Sequence, residues 1–114
     1  MKALIRVMKA LSDPNRIKVM KMLEAKPLCV CEITEILGLA QSTVSKHLKI
    51  LEDAELIDSW KDGSWVIYRL TENPGNQYAE TIGTNLKEWL FNDPDIRKIY
   101  RRAQVSDKQK ACAA

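Results

Sequence analysis

Apolar positions recur at helical spacing over most of this chain. Leu4, Val7, Met8 and Leu11 fall at i, i+3, i+4 and i+7, the stripe of an amphipathic helix that ends near Ser12. Ser12-Asp13-Pro14 then offers a capping side chain and a proline at the first helical position, where its missing N–H costs nothing. The second helix is expected to run to about Ala25, with Ile17, Met20 and Leu23 facing in. After Lys26-Pro27, Val30, Ile33 and Leu37 mark a short third helix that Gly38 stops. A fourth follows at once, with Val44, Leu48 and Leu51 on its apolar face. Two short helices joined by a tight glycine-containing turn make a helix-turn-helix, whose second member is the recognition helix.

The pattern then changes. Leu56 to Lys61 and Ser64 to Leu70 are rich in β-formers and flank Asp62-Gly63, a pair that favours a tight hairpin turn because both residues tolerate positive φ. A two-stranded hairpin after a recognition helix is a wing. Tyr78, Ile82, Leu86, Trp89 and Leu90 form a wide stripe on a helix from about Asn76 to Phe91, which Asn92-Asp93-Pro94 breaks. Asp95 to Ala103 adds a basic helical turn or two, and the remainder is expected to fray. The fold class is therefore mainly α with a two-stranded β-wing, a winged helix-turn-helix. Residues 1–91 are expected to form that domain with its dimerisation helices, and residues 92–114 a basic C-terminal tail.

With 114 residues, 46% of them hydrophobic and 29% charged, the chain is too apolar for disorder and too small to bury both wide stripes, which points to a homodimer. No apolar run approaches the roughly 18 residues of a membrane span, and the first dozen residues lack a signal peptide's apolar centre. A cytoplasmic protein with no membrane partner is expected. Three cysteines, an odd number, then favour reduced thiols and metal or redox chemistry over a disulfide framework. Asp95 to Lys110 carries six Lys/Arg against two Asp, so most of the net charge of +3 sits at one end. Nucleic-acid binding must be argued from local charge.

Gln41 to Lys49 supplies that local argument. Gln41, Ser42, Thr43, Ser45, Lys46 and Lys49 occupy the non-apolar faces of the fourth helix, and no acid falls among them. Gln pairs with adenine, Ser and Thr with several groups, and Lys with phosphate or guanine. Lys61, beside the hairpin tip, suits a phosphate contact, although Asp62 weakens its field. His47, the single histidine, lies at the edge of the buried face and suits a DNA contact or a structural hydrogen bond equally. Ala40, at the expected N-cap, has no side-chain acceptor.

Cys29 and Cys31 open the third helix, where the helix dipole favours thiolate, the form that binds soft ions. In a regular helix two residues so spaced stand about 200° apart, so convergence on one ion requires the first turn to distort. That distortion offers a switch, because this helix buttresses the recognition helix. Two small buried hydrophobes are the plainer reading of the same pair. A four-ligand zinc site is disfavoured by a total of three Cys and one His. No Gly-rich phosphate loop and no nucleophile–base spacing supports an enzyme.

These motifs together resemble the ArsR/SmtB family of metal-responsive repressors, from about Lys2 to Leu90. Leu11 to Arg16, Gln41 to Leu48 with Leu51, and Asp62-Gly63 with Trp65 to Leu70 are similar to the family's second-helix start, recognition helix and wing. Leu28-Cys29-Val30-Cys31-Glu32-Ile33 is similar to the arsenic-sensing box of its arsenite and antimonite repressors. In that group a third cysteine often follows three residues after the second; here that residue is Thr34. The resemblance implies a repressor of a metalloid-resistance operon on an inverted repeat of double-stranded operator DNA. It would dimerise through its first and last helices, and As(III) or Sb(III) would release it. Cys112 would be the third ligand, or a site of two sulfurs would suit a methylated arsenical such as methylarsenite. The family's zinc site across the last helix finds Glu80 and Glu88 there but no histidine. The alternatives are a thiol-based redox or other soft-metal repressor, and a winged-helix module for protein contacts.

Overall fold

The computed structural model describes residues 1–112; the last two residues of the expected tail lie outside them. α1 (Lys2–Ala10) leads to α2 (Pro14–Ala25), which starts as its sequence demands. The Asp13 carboxylate accepts from the N–H groups of Asn15 at 2.7 Å and Arg16 at 3.4 Å, and Pro14 holds the first helical position. Val19 to Leu23 are all buried, because α3, α4, α6 and β3 surround this helix. Met20 and Leu23 face in as expected, while Ile17 is half-buried. α3 (Val30–Leu37) ends on Gly38 at φ +70°, and α4 (Gln41–Asp53) begins three residues later. Val44, Leu48 and Leu51 are fully buried beneath α4 and join Val7, Val19, Met22, Leu28, Ile33 and Ile57 in the core.

The wing is the antiparallel pair β2 (Ile57–Asp62) and β3 (Trp65–Leu70). Its turn lies one residue later than expected. Asp62 still pairs with Trp65, so Gly63-Ser64 are the central residues, and of these Gly63 alone has positive φ, +62°. A turn that needs positive φ only at its first central position needs only the glycine. The sheet also holds β1 (Leu28–Cys29), which pairs Leu28 with Tyr68 and Cys29 with Ile67 and gives the order β1-β3-β2. A strand of two residues leaves no period to read.

α5 (Gln77–Glu88) packs against α1 and is not the last helix. α6 (Pro94–Gln104) follows, capped by the Asp93 carboxylate, and packs on α2 and α3 with Ile96 and Ala103 buried. α7 (Lys108–Ala111) lies against α3. Among the described residues the fraying expected after Ala103 is not found: α7 forms and lies against α3, and ahead of it Ile96, Ile99 and Ala103 form an apolar stripe that docks. Of the side chains expected to face a second copy, Leu86 is buried within this protomer, Leu4, Leu11 and Ile82 are half-buried, and Trp89 is exposed. Ile5, Met8, Leu90 and Phe91 are exposed beside them. Among the described residues no helix is long and apolar enough to cross a membrane.

Cations from neighbouring segments close four helix ends. Arg16 donates from Nε to Ala10 O at 2.7 Å and from Nη2 to Lys9 O at 3.1 Å, finishing α1. Lys21, only 3% exposed, donates to Leu86 O at 2.8 Å and Trp89 O at 3.0 Å, and pairs with Glu24 at 2.8 Å. Lys26 donates to Gln104 O and Ser106 O at the end of α6, and Arg102 to Ile36 O and Glu35 O at the end of α3.

Burial raises the Glu24 carboxyl above its ordinary value against the pull of Lys21 and Lys87. Lys21→Met is therefore expected to cost about 3 kcal/mol, the usual penalty for stranding one member of a buried pair. A buried acid with a raised pKa destabilises the fold as pH climbs past its unfolded value of about 4.5. The deficit should thus grow between pH 5 and pH 8 in denaturation experiments, and a deficit independent of pH would remove Glu24 from this account.

Candidate nucleic-acid interface and thiol site

α4 presents Gln41, Ser42, Thr43, Ser45, Lys46 and Lys49 to solvent on one side while Val44, Leu48 and Leu51 hold the other in the core. Ala40 caps without a side-chain acceptor, and its carbonyl accepts from Thr43 N and Val44 N. The N–H groups of Gln41 and Ser42 are left for an outside acceptor, as an anion-binding helix start requires. Lys49 spends part of its charge on Asp53 at 3.1 Å, four residues on. Lys46 makes no ion pair among the described residues. His47 is half-buried, and its Nδ1 accepts from Arg16 Nη1 at 3.1 Å, which is the structural role. Arg16 therefore locks the end of α1 to the recognition helix, a link that no spacing in the sequence announces.

Lys61 is exposed on β2 near the hairpin tip. Its neighbour Asp62 does not act on it alone, because Lys108 Nζ from α7 pairs with Asp62 Oδ2 at 3.1 Å and stands 4.5 Å from the centre of the Trp65 ring. The basic tail was legible as charge; its position on the wing was not.

The three cysteines form one cluster. Their sulfurs all lie within 4.8 Å of one another, and Cys29 Sγ is 3.4 Å from Cys112 Sγ. Cys31 and Cys112 are joined as a disulfide, with their Cα atoms 5.4 Å apart, and Cys29 is the free thiol. The expectation of three reduced thiols is corrected to that extent. Sulfurs held about 2.3 Å from one soft ion stand roughly 3.5–4 Å apart, so with the disulfide opened the cluster needs little adjustment to hold one. Thr34, where the arsenic-sensing box of similar repressors often has a cysteine, offers no sulfur and keeps a buried hydroxyl without a partner among the described residues. Cys112, at the C-cap of α7, stands with the other two thiols.

Two further expectations are corrected. Cys29 is not inside the helix. It is the N-cap of α3, with extended backbone at φ −83° and ψ 166°, held by its pairing with Ile67. Cys29 and Cys31 are therefore not two positions of one regular helix, and a bond from both sulfurs to one ion does not require the first turn to distort. Nor is Cys29 disposed to thiolate: burial pushes its thiol up, and the Glu32 carboxylate adds to this, while backbone N–H groups of Glu32 and Cys31 only partly oppose them. Glu32 is there because its Oε1 accepts from Cys29 N at 3.0 Å, which closes the start of α3.

Comparison with known proteins gives a consistent picture. Residues 13–59 match the family of bacterial regulatory proteins described as the arsR family. An arsenical resistance operon repressor of Staphylococcus aureus is 38% identical over 106 residues, 93% of this chain and 96% of that protein. One from Escherichia coli is 37% identical over 98 residues, 85% of this chain and 81% of that protein. Among solved structures, HlyU from Vibrio cholerae superposes with a TM-score of 0.63 at 25% identity and covers 77% of this chain and 92% of its own.

Glu32→Gln keeps an amide oxygen for Cys29 N and removes the charge. In a Cys31→Ser/Cys112→Ser background, the rate at which methyl methanethiolsulfonate modifies Cys29 is expected to rise at neutral pH. The whole pH–rate profile should move to lower pH. An unmoved profile would show that burial alone holds the thiol protonated.

Proposed function

The chain belongs to the arsR family of bacterial regulatory proteins, and on that premise we propose that it is a homodimeric, cytoplasmic repressor that As(III) draws off its operator by bridging Cys29, Cys31 and Cys112. The observation that carries this is the meeting of three sulfurs from three places in the chain. Two equivalents of a low-molecular-weight thiol first reduce the Cys31–Cys112 disulfide to two thiols, themselves becoming a disulfide. Arsenous acid then exchanges its three hydroxyls for the three protein thiols and releases three waters, so capture leaves the proton count unchanged below the thiol pKa values. Antimonite reacts in the same way, and methylarsenite, with two hydroxyls, takes two of the three. The relatives named as arsenical resistance operon repressors support the choice of metalloid. The segment from residue 92 to the C-terminus acts here as the carrier of the third thiol.

Gln41, Ser42, Thr43, Ser45 and Lys46 read or grip the major groove, Lys49 and Lys61 meet phosphates, and His47 positions α4 through Arg16. A dimer built on α1 and α5 would cover Ile5, Met8 and Trp89 and set two α4 helices on an inverted repeat, with half-sites one DNA turn or a multiple apart. The disulfide between Cys31 and Cys112 favours a second reading, a redox sensor. There a peroxide would oxidise those two thiols to the disulfide and be reduced to water and an alcohol.

Lys46→Ala is expected to weaken operator binding and reduce its salt slope by about 1, whereas Gln41→Ala should mainly relax base preference. Each single Cys→Ser variant at 29, 31 or 112 should keep operator affinity and raise the As(III) concentration needed for release at least about ten-fold. A Cys29→Ser/Cys31→Ser protein that still lets go at wild-type As(III) would sink the metalloid site. Release by peroxide, lost in Cys112→Ser, with no response to As(III) would install the redox reading instead.

A further inference from the structure

We infer that Lys108 is the positioning residue through which the wing senses the thiol cluster, by holding α7 across the β2–β3 hairpin while Cys112 is tied to Cys29 and Cys31. This rests on the proposed reading of the cluster and adds the route from it to DNA. Lys108 and Cys112 are four residues apart on one helical turn, and Cys112 N donates to Lys108 O at 3.0 Å. Residues so spaced share a face. One end of that face enters the cluster and the other reaches the wing tip, where Lys108 Nζ meets Asp62 at 3.1 Å and the Trp65 ring at 4.5 Å. Asp62 and Trp65 are cross-strand partners beside the Gly63-Ser64 turn, and Lys61 precedes them.

The cluster thus holds the wing at two places. In mid-strand, Cys29 pairs with Ile67 in the ladder; at the tip, Lys108 grips Asp62 and Trp65. Trp65 and Ile67 are two apart in β3 and share a face of the sheet. A four-residue helix does not persist on its own. A partly exposed ion pair and a cation–π contact each shift an equilibrium by at most about five-fold, so they cannot keep α7 in place unaided. Bonds from Cys112 to the other sulfurs supply the anchor. When they form, the wing is clamped; when they open, α7 leaves and the tip is restrained only by its own hairpin. Because ligation is the state that leaves the operator, the clamped wing is the released form.

The test uses the full-length dimer as wild type, Lys108→Ala and Lys108→Arg. As(III) affinity is read from loss of alkylatable thiols, operator affinity from anisotropy with and without As(III), and wing order from amide exchange at residues 61–66. Lys108→Ala should keep arsenic-free operator affinity within about two-fold and, because the lost contacts form only on ligation, should weaken As(III) binding to the operator-free dimer while leaving As(III) binding to the operator-bound dimer unchanged. Its ratio of operator Kd with and without As(III) should fall below wild type by that same factor, about five-fold or more for the two contacts together. Wild type and Lys108→Arg should gain exchange protection at residues 61–66 with As(III), and Lys108→Ala should not. Full release by Lys108→Ala would overturn the inference. So would a loss of As(III) affinity equal in the free and the operator-bound dimer, since Lys108 would then only build the site. If wild type does not bind As(III), the proposed function fails instead. The same exchange comparison on protein oxidised to the Cys31–Cys112 disulfide then decides whether Lys108 clamps the wing.

Discussion

The last carbonyls of a helix have no partner inside it, and in this protein four helices finish against cations brought by neighbouring segments. Three of those cations come from α2 or the residue after it. Arg16 serves α1, Lys21 serves α5 and Lys26 serves α6, at intervals of five residues. The fourth, Arg102, returns from α6 to close α3. α2 is therefore more than the centre of the apolar core: with Lys26 just after it, it helps fix where α1, α5 and α6 stop. The position of the helix-turn-helix follows, since Arg16 also grips His47 and Arg102 sets the last turn before Gly38. Each such contact contributes roughly 0.3–1 kcal/mol, and up to about 2 where partly buried, which is large against a small domain's total stability.

That circuit explains how the tail comes to the thiols. α6 is held at one end by its apolar stripe on α2, and at the other by Lys26 on Gln104 and Ser106. The next residues are Asp107 and Lys108, so α7 starts where Lys26 has placed it, close to the Leu28–Cys29 strand that follows Lys26 along the chain. The site is assembled by helix ends, and its sulfurs contribute the final join.

The four helices through α4 and the hairpin were legible because their apolar residues repeat with one period and their ends carry capping signals. Asp13-Pro14 announced α2, whereas Asp93-Pro94, which carries the same capping signal for α6, was read only as the break after the fifth helix. Ile96, Ile99 and Ala103 carried a readable stripe, but four cations within the same stretch masked it as a solvated face. The displacement of the turn to Gly63-Ser64 was beyond reach, because Asp62 suits a turn and a strand end alike. The thiol site was half legible. Cys29 and Cys31 stand out by spacing and by likeness to a known box, yet their geometry depended on β1, which exists only because β3 offers an edge. Cys112 had no local signal at all; tertiary packing alone brings it there.

One consequence of the cluster concerns the lifetime of the protein. Cys31 and Cys112 are 81 residues apart, so a bond between them, directly or through a shared atom, closes a loop over most of the chain. Closing a loop of that size removes conformations from the unfolded ensemble worth about 4.5 kcal/mol. A molecule in the joined state would resist unfolding and proteolytic trimming of its C-terminal helices far better than one in the open state. On the proposed function, in which the joined state is the one released from DNA, the cell would then hold two pools of the same chain with different turnover, the released pool being the longer-lived. Exposure to the signal would be remembered as protein abundance after the signal itself had gone.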